Sequence, residues 1–105
     1  MMIIKGVLKE ELANSLKMQK DYLRQLAKLP KGALVKKIIK GREYYYLVFR
    51  EDGKVKYVYK GKVSDKDIEN YKQIKDYRAK YRKLLSEIKQ QIQFLRKVLH
   101  GKKSV

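Results

Sequence analysis

The stretch Glu43-Tyr44-Tyr45-Tyr46-Leu47-Val48-Phe49-Arg50-Glu51-Asp52-Gly53-Lys54-Val55-Lys56-Tyr57-Val58-Tyr59-Lys60 decides the fold. Glu43 to Arg50 is aromatic and β-branched, with no Gly or Pro, which is the composition of a strand. Asp52-Gly53 is a favoured two-residue hairpin dipeptide, because both central positions of that turn need positive φ. Lys54 to Lys60 then reads as the returning strand, closed by Gly61. Upstream, Leu34-Val35-Lys36-Lys37-Ile38-Ile39 is a β-branched run, and Lys40-Gly41 reads as a tight turn. Together these predict a three-stranded antiparallel β-meander over 33–61.

Working outward, the hydrophobic period changes on both sides. From Leu8 the apolar positions Leu8, Leu12, Leu16, Leu23 and Leu26 make a one-sided stripe on a 3.6-residue period. This predicts a helix over 7–29, stopped by Pro30, which disfavours helical geometry in the residue before it. Met1 to Ile4 read as a short strand or a disordered tail. On the other side, Ser64 is a good N-cap, and Asp65, Asp67 and Glu69 follow where the helix dipole favours acids. Ile74, Tyr81, Ile88 and Leu95 then recur every seven residues, with Tyr77, Leu84 and Val98 three after them and Gln91 interrupting. The prediction is one long helix over 64–100, with Gly101 as its C′ residue and 101–105 as a tail. A heptad sustained this far suggests a coiled-coil seam, with the first helix or with another chain. The expected fold class is α+β in a single domain over 1–105: an N-terminal helix, the meander, and a long C-terminal helix, the helices forming a hairpin packed on a small sheet.

Pairing across Asp52-Gly53 sets Arg50 opposite Val55, Val48 opposite Tyr57 and Tyr46 opposite Tyr59. Pairing across Lys40-Gly41 sets Ile39 opposite Arg42, Lys37 opposite Tyr44 and Val35 opposite Tyr46. Residues directly opposite share a face. One face then carries Lys37, Arg42, Tyr44, Tyr46, Arg50, Tyr57 and Tyr59. The other carries Leu34, Ile38, Leu47, Phe49 and Val58, the better core candidates. A one-residue slip in the first turn swaps the first strand between faces.

The 105 residues hold 28 Lys+Arg against 11 Asp+Glu, a formal net charge of +17. Hydrophobic residues make up 44%, enough to bury a core, so disorder is a poor reading despite the charge. Such an excess repels itself unless anions screen it, and nucleic acids are the abundant cellular polyanions. A thermophile-like Lys bias predicts a matching rise in Glu, which is not present. Six cations face three acids in residues 1–30, ten face three in 31–62, and twelve face five in 63–105, so the meander and long helix carry most of the excess.

Enzyme chemistry finds little to work with. The chain has no Cys and a single His, at position 100. That excludes disulfides, thiolate sites and a His-based metal cluster within one chain. The glycines at 6, 32, 41, 53, 61 and 101 are isolated, so no phosphate-binding loop is present. Asp65, Asp67 and Glu69 are explained by helix capping, and Glu51 and Asp52 by the hairpin turn. Tyr44 to Tyr46 lack the Arg/His constellation of a tyrosine-nucleophile enzyme. No cofactor, metal or catalytic residue is expected. Neither a membrane span nor a signal peptide is legible, and the expected setting is cytoplasmic, in a prokaryotic or infected host cell.

The candidate site is therefore a nucleic-acid surface. Tyrosine rings stack on bases while cations hold phosphates, so Tyr44, Tyr46, Tyr57 and Tyr59 with Lys37, Arg42 and Arg50 suit a single-stranded or RNA partner. A sheet can also enter a major groove, where Arg reads guanine. The alternative is a tyrosine ladder covered by a helix with its hydroxyls in water. A second group, Lys72, Lys75, Arg78, Lys80, Arg82 and Lys83, lies within twelve residues of the long helix, opposed by Asp76. Lys72, Lys75, Lys83 and Lys89 fall off the apolar stripe and could form a phosphate-facing ridge; a plain solvated face is the other reading.

The segments Leu29-Pro30-Lys31-Gly32-Ala33-Leu34-Val35-Lys36-Lys37, Ile39-Lys40-Gly41-Arg42-Glu43-Tyr44-Tyr45-Tyr46-Leu47, Arg50-Glu51-Asp52-Gly53-Lys54-Val55-Lys56 and Tyr59-Lys60-Gly61-Lys62 resemble a family of small prokaryotic and viral domains of unknown function. These combine such a meander with a charged helix. The resemblance covers residues 29–62 and extends to the helix in character. The meander is also loosely similar to the three-stranded DNA-binding domains at the start of some phage and transposon integrases. That similarity implies a sheet that reads DNA and a helix that supports it. Both resemblances imply a mobile-element or prokaryotic setting.

Three functional expectations follow. The first is a non-enzymatic nucleic-acid-binding protein using the tyrosine face and the basic helix. The second is a small mobile-element protein that binds and inhibits or remodels a nucleoprotein such as a CRISPR effector. The third is a coiled-coil module that forms a homo-oligomer through the long helix.

Overall fold

The computed structural model describes residues 2–100, with the side chains of residues 4–100. Its elements are α1 (Met2–Lys28), β1 (Ala33–Ile39), β2 (Arg42–Glu51), β3 (Lys54–Gly61) and α2 (Asp65–His100). This is the expected α+β order. The strands form one antiparallel sheet in the order β1-β2-β3. The helix expected from residue 7 begins at Met2, so Met2 to Ile4 are helical rather than strand or tail. Nothing at Lys5 or Gly6 breaks the helix, and it takes in the apolar residues before them. Met1 and the predicted tail from Gly101 lie outside the described residues.

The register follows the turn chemistry. Lys40 and Gly41 have φ of 52° and 77°, and Asp52 and Gly53 have φ of 53° and 76°. Positive φ at both centres is the two-residue turn whose twist matches the strands it joins. Ile39 pairs with Arg42, Lys37 with Tyr44 and Val35 with Tyr46; Arg50 pairs with Val55, Val48 with Tyr57 and Tyr46 with Tyr59. The register shifts between Tyr45 and Tyr46, where Tyr45 pairs with Gly61, so Lys60 is an extra residue in β3. The start of α2 is capped as expected: the Asp67 amide donates to Ser64 Oγ at 3.1 Å and the Ile68 amide to Ser64 O at 3.0 Å.

The chain divides into two compact units. One comprises Leu29–Arg78, the sheet with the first part of α2. Ile68, Tyr71, Ile74 and Arg78 are its half-buried helical positions, and Leu34, Tyr45, Leu47 and Phe49 are half-buried in the strands. Tyr45 and Ile68 line a common open hollow, which sets this part of α2 against the second sheet face. Arg78 fastens the start of the unit: its guanidinium donates to Pro30 O at 2.6 Å and to Gly32 O at 3.3 Å. Cover over this face is incomplete. Ile38 and Val58, expected in the core, are 66% and 41% exposed. Ile38 is near the far end of an edge strand and Val58 is on the other edge strand, so each has a sheet neighbour on one side only.

The second unit pairs α1 with α2 from Ala79 onward. Ser15 sits opposite Gln91 and Tyr22 opposite Tyr81, while Ile4 and Leu8 share a hollow with Val98 and Leu99. Later residues of α1 meet earlier residues of α2, so the two helices are antiparallel. The core is Ile88, Ile92 and Leu95, at spacings of four and three. The heptad reading holds for Ile88 and Leu95 but not for Val98, which is 48% exposed, or for Tyr77, which is 50% exposed. A strict seven-residue repeat drifts on a 3.6-residue helix, so Ile92 takes an inward position instead.

Candidate nucleic-acid interface

Strand alternation places Lys37, Arg42, Tyr44, Tyr46, Arg50, Tyr57 and Tyr59 on one face of the sheet. Their side chains interlock. Lys37 Nζ lies 5.3 Å from the Tyr46 ring centre and 5.7 Å from that of Tyr57. The Tyr59 ring tilts against Tyr46 at 5.3 Å and against Tyr44 at 6.2 Å. Tyr59 also lies over Gly61, where a Cβ would come within 3.3 Å of its hydroxyl oxygen. Tyr44 and Tyr46, on the central strand, are half-buried. Tyr57 and Tyr59, on the edge strand, are 61% and 58% exposed. Their exposure argues against a tyrosine ladder sealed under a helix. Arg42 and Arg50 are exposed at opposite ends of β2, roughly 27 Å apart along a strand of that length.

The charges divide between the two faces. Glu43 and Glu51, the acids of β2, alternate with the tyrosine positions and so project from the opposite face. There Glu43 Oε1 accepts from Lys36 Nζ and Glu51 Oε1 from Lys56 Nζ, each at 3.4 Å. Among the described residues, no carboxylate bridges Lys37, Arg42 or Arg50. The tyrosine face thus keeps its positive charge while the other face loses part of its own. This division was legible in the sequence, since residues 43 and 51 share parity with Tyr45 and not with Tyr44 and Tyr46.

The helix candidates fall into three groups. Lys72 and Lys75 are exposed on α2 within the sheet unit. Arg78 turns inward onto the Pro30 and Gly32 carbonyls. Its sequence signal was its position four residues after Ile74, in phase with the apolar stripe rather than off it. Arg82 and Lys83 are exposed in the helical unit. Among the described residues no group of three or more His, Asp or Glu side chains is placed to hold a metal ion. No described helix is long and apolar enough to cross a membrane.

No curated protein and no solved structure matches the chain. A family model does, over residues 6–70, described as "Domain of unknown function (DUF6788)". The matched span takes in α1 from Gly6, both hairpins of the sheet and the capped start of α2. On that match, which covers more than half of its length, the chain belongs to the DUF6788 family.

Proposed function

We propose that this chain is a non-enzymatic nucleic-acid-binding protein whose reading surface is the Lys37–Tyr46–Tyr57–Tyr59 face of the sheet, with Arg42 and Arg50 at its ends. The observation that carries this reading is the pairing of exposure with chemistry. Tyr57 and Tyr59 are more than half exposed, and Tyr57 stands beside Lys37, which has no carboxylate partner among the described residues, in a chain of net charge +17. Exposed rings offer stacking surfaces to bases, and the cations meet phosphates. Lys72 and Lys75 add charge within the same compact unit. Arg78 is left out of the reading surface, because its guanidinium is turned onto the Pro30 and Gly32 carbonyls. The loose similarity of the meander to integrase-type DNA-binding sheets agrees with this assignment.

The test is fluorescence anisotropy of nuclease-treated protein with labelled single-stranded RNA, single-stranded DNA and duplex DNA at 50 and 300 mM salt. Affinity should fall by about 0.7–0.9 log units per log unit of salt for each phosphate neutralised. Binding to one form should persist at the higher salt and drop on Tyr57→Ala or Arg50→Ala. Affinity that ignores salt, or that ignores both substitutions, removes the sheet face from consideration.

A further inference from the structure

By sequence, the helical unit holds fourteen of the 28 Lys+Arg but only four of the 11 Asp+Glu. Its positive excess is therefore larger than that of the sheet unit, and the pairing of its helices gathers much of it on one side. On α1 the inward stripe centres on Leu8, Leu12, Ser15 and Gln19. Lys5, Lys9 and Lys20 lie about 50–110° from that centre, all in one sense of rotation. On α2 the inward stripe is Ile88, Ile92 and Leu95. Arg82, Lys89 and Arg96 lie about 70–110° from it in the same sense. Equal senses about two antiparallel helices point to one side of the pair. Ser15 and Gln91 both lean the other way from these centres and are hydrogen-bonded, as that geometry requires. All six cations are exposed, and among the described residues none of them is bridged to a carboxylate.

We propose that this side of the helical pair is a second binding surface, separate from the sheet face, that holds the phosphate backbone of a nucleic-acid duplex without reading its sequence. Charge complementarity selects this occupant. No acid lies on this side: on the same wheel Glu11 and Glu87 fall on the opposite side, and Glu10 and Asp21 face away from the partner helix. The levels set by Ser15–Gln91 and Tyr22–Tyr81 bring Lys9 beside Arg96, and Lys20 between Arg82 and Lys89. Like charges so placed repel one another until a polyanion meets them. The six cations form a straight strip about 25 Å long on two helices about 8–10 Å apart. A duplex offers a matching rigid array, with one phosphate charge per about 1.7 Å of its axis. Between the cations the side carries Ala13, Ala27, Ser86 and Gln93, all exposed and none aromatic. It therefore has no ring on which an unpaired base would stack, unlike the sheet face. Leu23, at its margin, is the one large apolar side chain exposed there, too little to insert into a lipid surface.

The test compares two triple variants of the nuclease-treated full chain, binding a labelled mixed-sequence duplex DNA of about 20 base pairs across a range of salt. One carries Lys9→Gln, Lys89→Gln and Arg96→Gln. The other carries Lys17→Gln, Lys28→Gln and Lys97→Gln, three exposed cations that face away from the partner helix. Both lose the same net charge, and Gln keeps the helix propensity of Lys and Arg, so helical circular dichroism should be unchanged in both. The first variant should lower the salt slope by about 0.9 for each cation removed and weaken duplex binding roughly tenfold or more at about 150 mM salt. The second should change the slope by less than one such step. Equal losses in the two overturn the proposal, since generic attraction would explain both. So does a slope that the first variant leaves unchanged, including the case where that variant instead loses binding to phosphatidylserine vesicles. Made in a Lys37→Gln, Arg42→Gln, Arg50→Gln background, the first variant should lower the slope by the same amount, so failure of the sheet reading leaves this result intact.

Discussion

Gln91 Nε2 donates a 2.7 Å hydrogen bond to Ser15 Oγ across the helix pair, and Ser15, at 1% exposure, is the most buried side chain described, while Gln91 itself is exposed. A polar pair at such a position costs little while both members are present and much when one is left alone. It also fixes how far one helix can slide along the other, as a buried polar residue does in a coiled coil. Gln91→Leu should destabilise the fold by about 1–3 kcal/mol by leaving the serine hydroxyl without that partner. Gln91→Leu combined with Ser15→Ala should recover most of the loss. Urea denaturation of the four species of a double-mutant cycle measures the coupling, and strict additivity would contradict it.

Arg78 separates stability from charge. Its two bonds to the Pro30 and Gly32 carbonyls need a forked donor, which lysine lacks. Arg78→Gln removes both the fork and the charge; it should lower stability by about 1–2 kcal/mol while leaving the salt dependence of nucleic-acid binding unchanged. A change in salt slope without a change in stability would reassign Arg78 to the binding surface.

Gly32 and Gly53 both have positive φ, at 101° and 76°, but differ in their surroundings. A Cβ at Gly32 would lie 3.0 Å from Leu47 Cγ and Cδ1 and 3.2 Å from Val48 O, whereas nothing lies within 4 Å at Gly53. Gly53→Ala should therefore cost about 1–2 kcal/mol, the backbone penalty alone. Gly32→Ala should cost about 2–4 kcal/mol, since a steric clash adds to it. Thermal melts of the two variants should differ in that order, and equal losses would remove the packing role given to Gly32.

Tyr57 and Lys37 contribute to binding by different routes. Tyr57→Phe keeps the ring and should leave affinity nearly intact, while Tyr57→Ala should lose about 1–3 kcal/mol if one base stacks there. Lys37→Ala should instead reduce the salt slope by about 0.7–0.9. The anisotropy titrations, repeated across salt concentrations, distinguish the two. A Tyr57→Phe loss as large as that of Tyr57→Ala would mean that the hydroxyl, not the ring, makes the contact.

The sheet was legible because its information is local. Asp52-Gly53 and Lys40-Gly41 fix two-residue turns, and a turn of known length fixes every pairing that follows from it. The tyrosine face could be written down from these pairings, and so could the separation of Glu43 and Glu51 from it. The covering of the sheet was not legible. Ile38 and Val58 are as apolar as Leu34 and Leu47, and only the path of the first part of α2 determines which of them lose water. Arg78 looked like one more cation in a basic run until the fold of the sheet unit brought the Pro30 and Gly32 carbonyls within its reach.

By itself, then, the sequence determined the elements, their order, the strand register and the net charge, since each depends on neighbours a few residues apart. Tertiary structure decided which half of α2 partners the sheet and which partners α1. It also buried Ser15 against Gln91 and turned Arg78 onto the backbone of the sheet unit. Those outcomes depend on contacts between residues up to 76 positions apart, as between Ser15 and Gln91. A periodic pattern states that a residue lies on an apolar stripe, but not what will cover it, because burial is a property of the surface that arrives and not of the residue that waits for it.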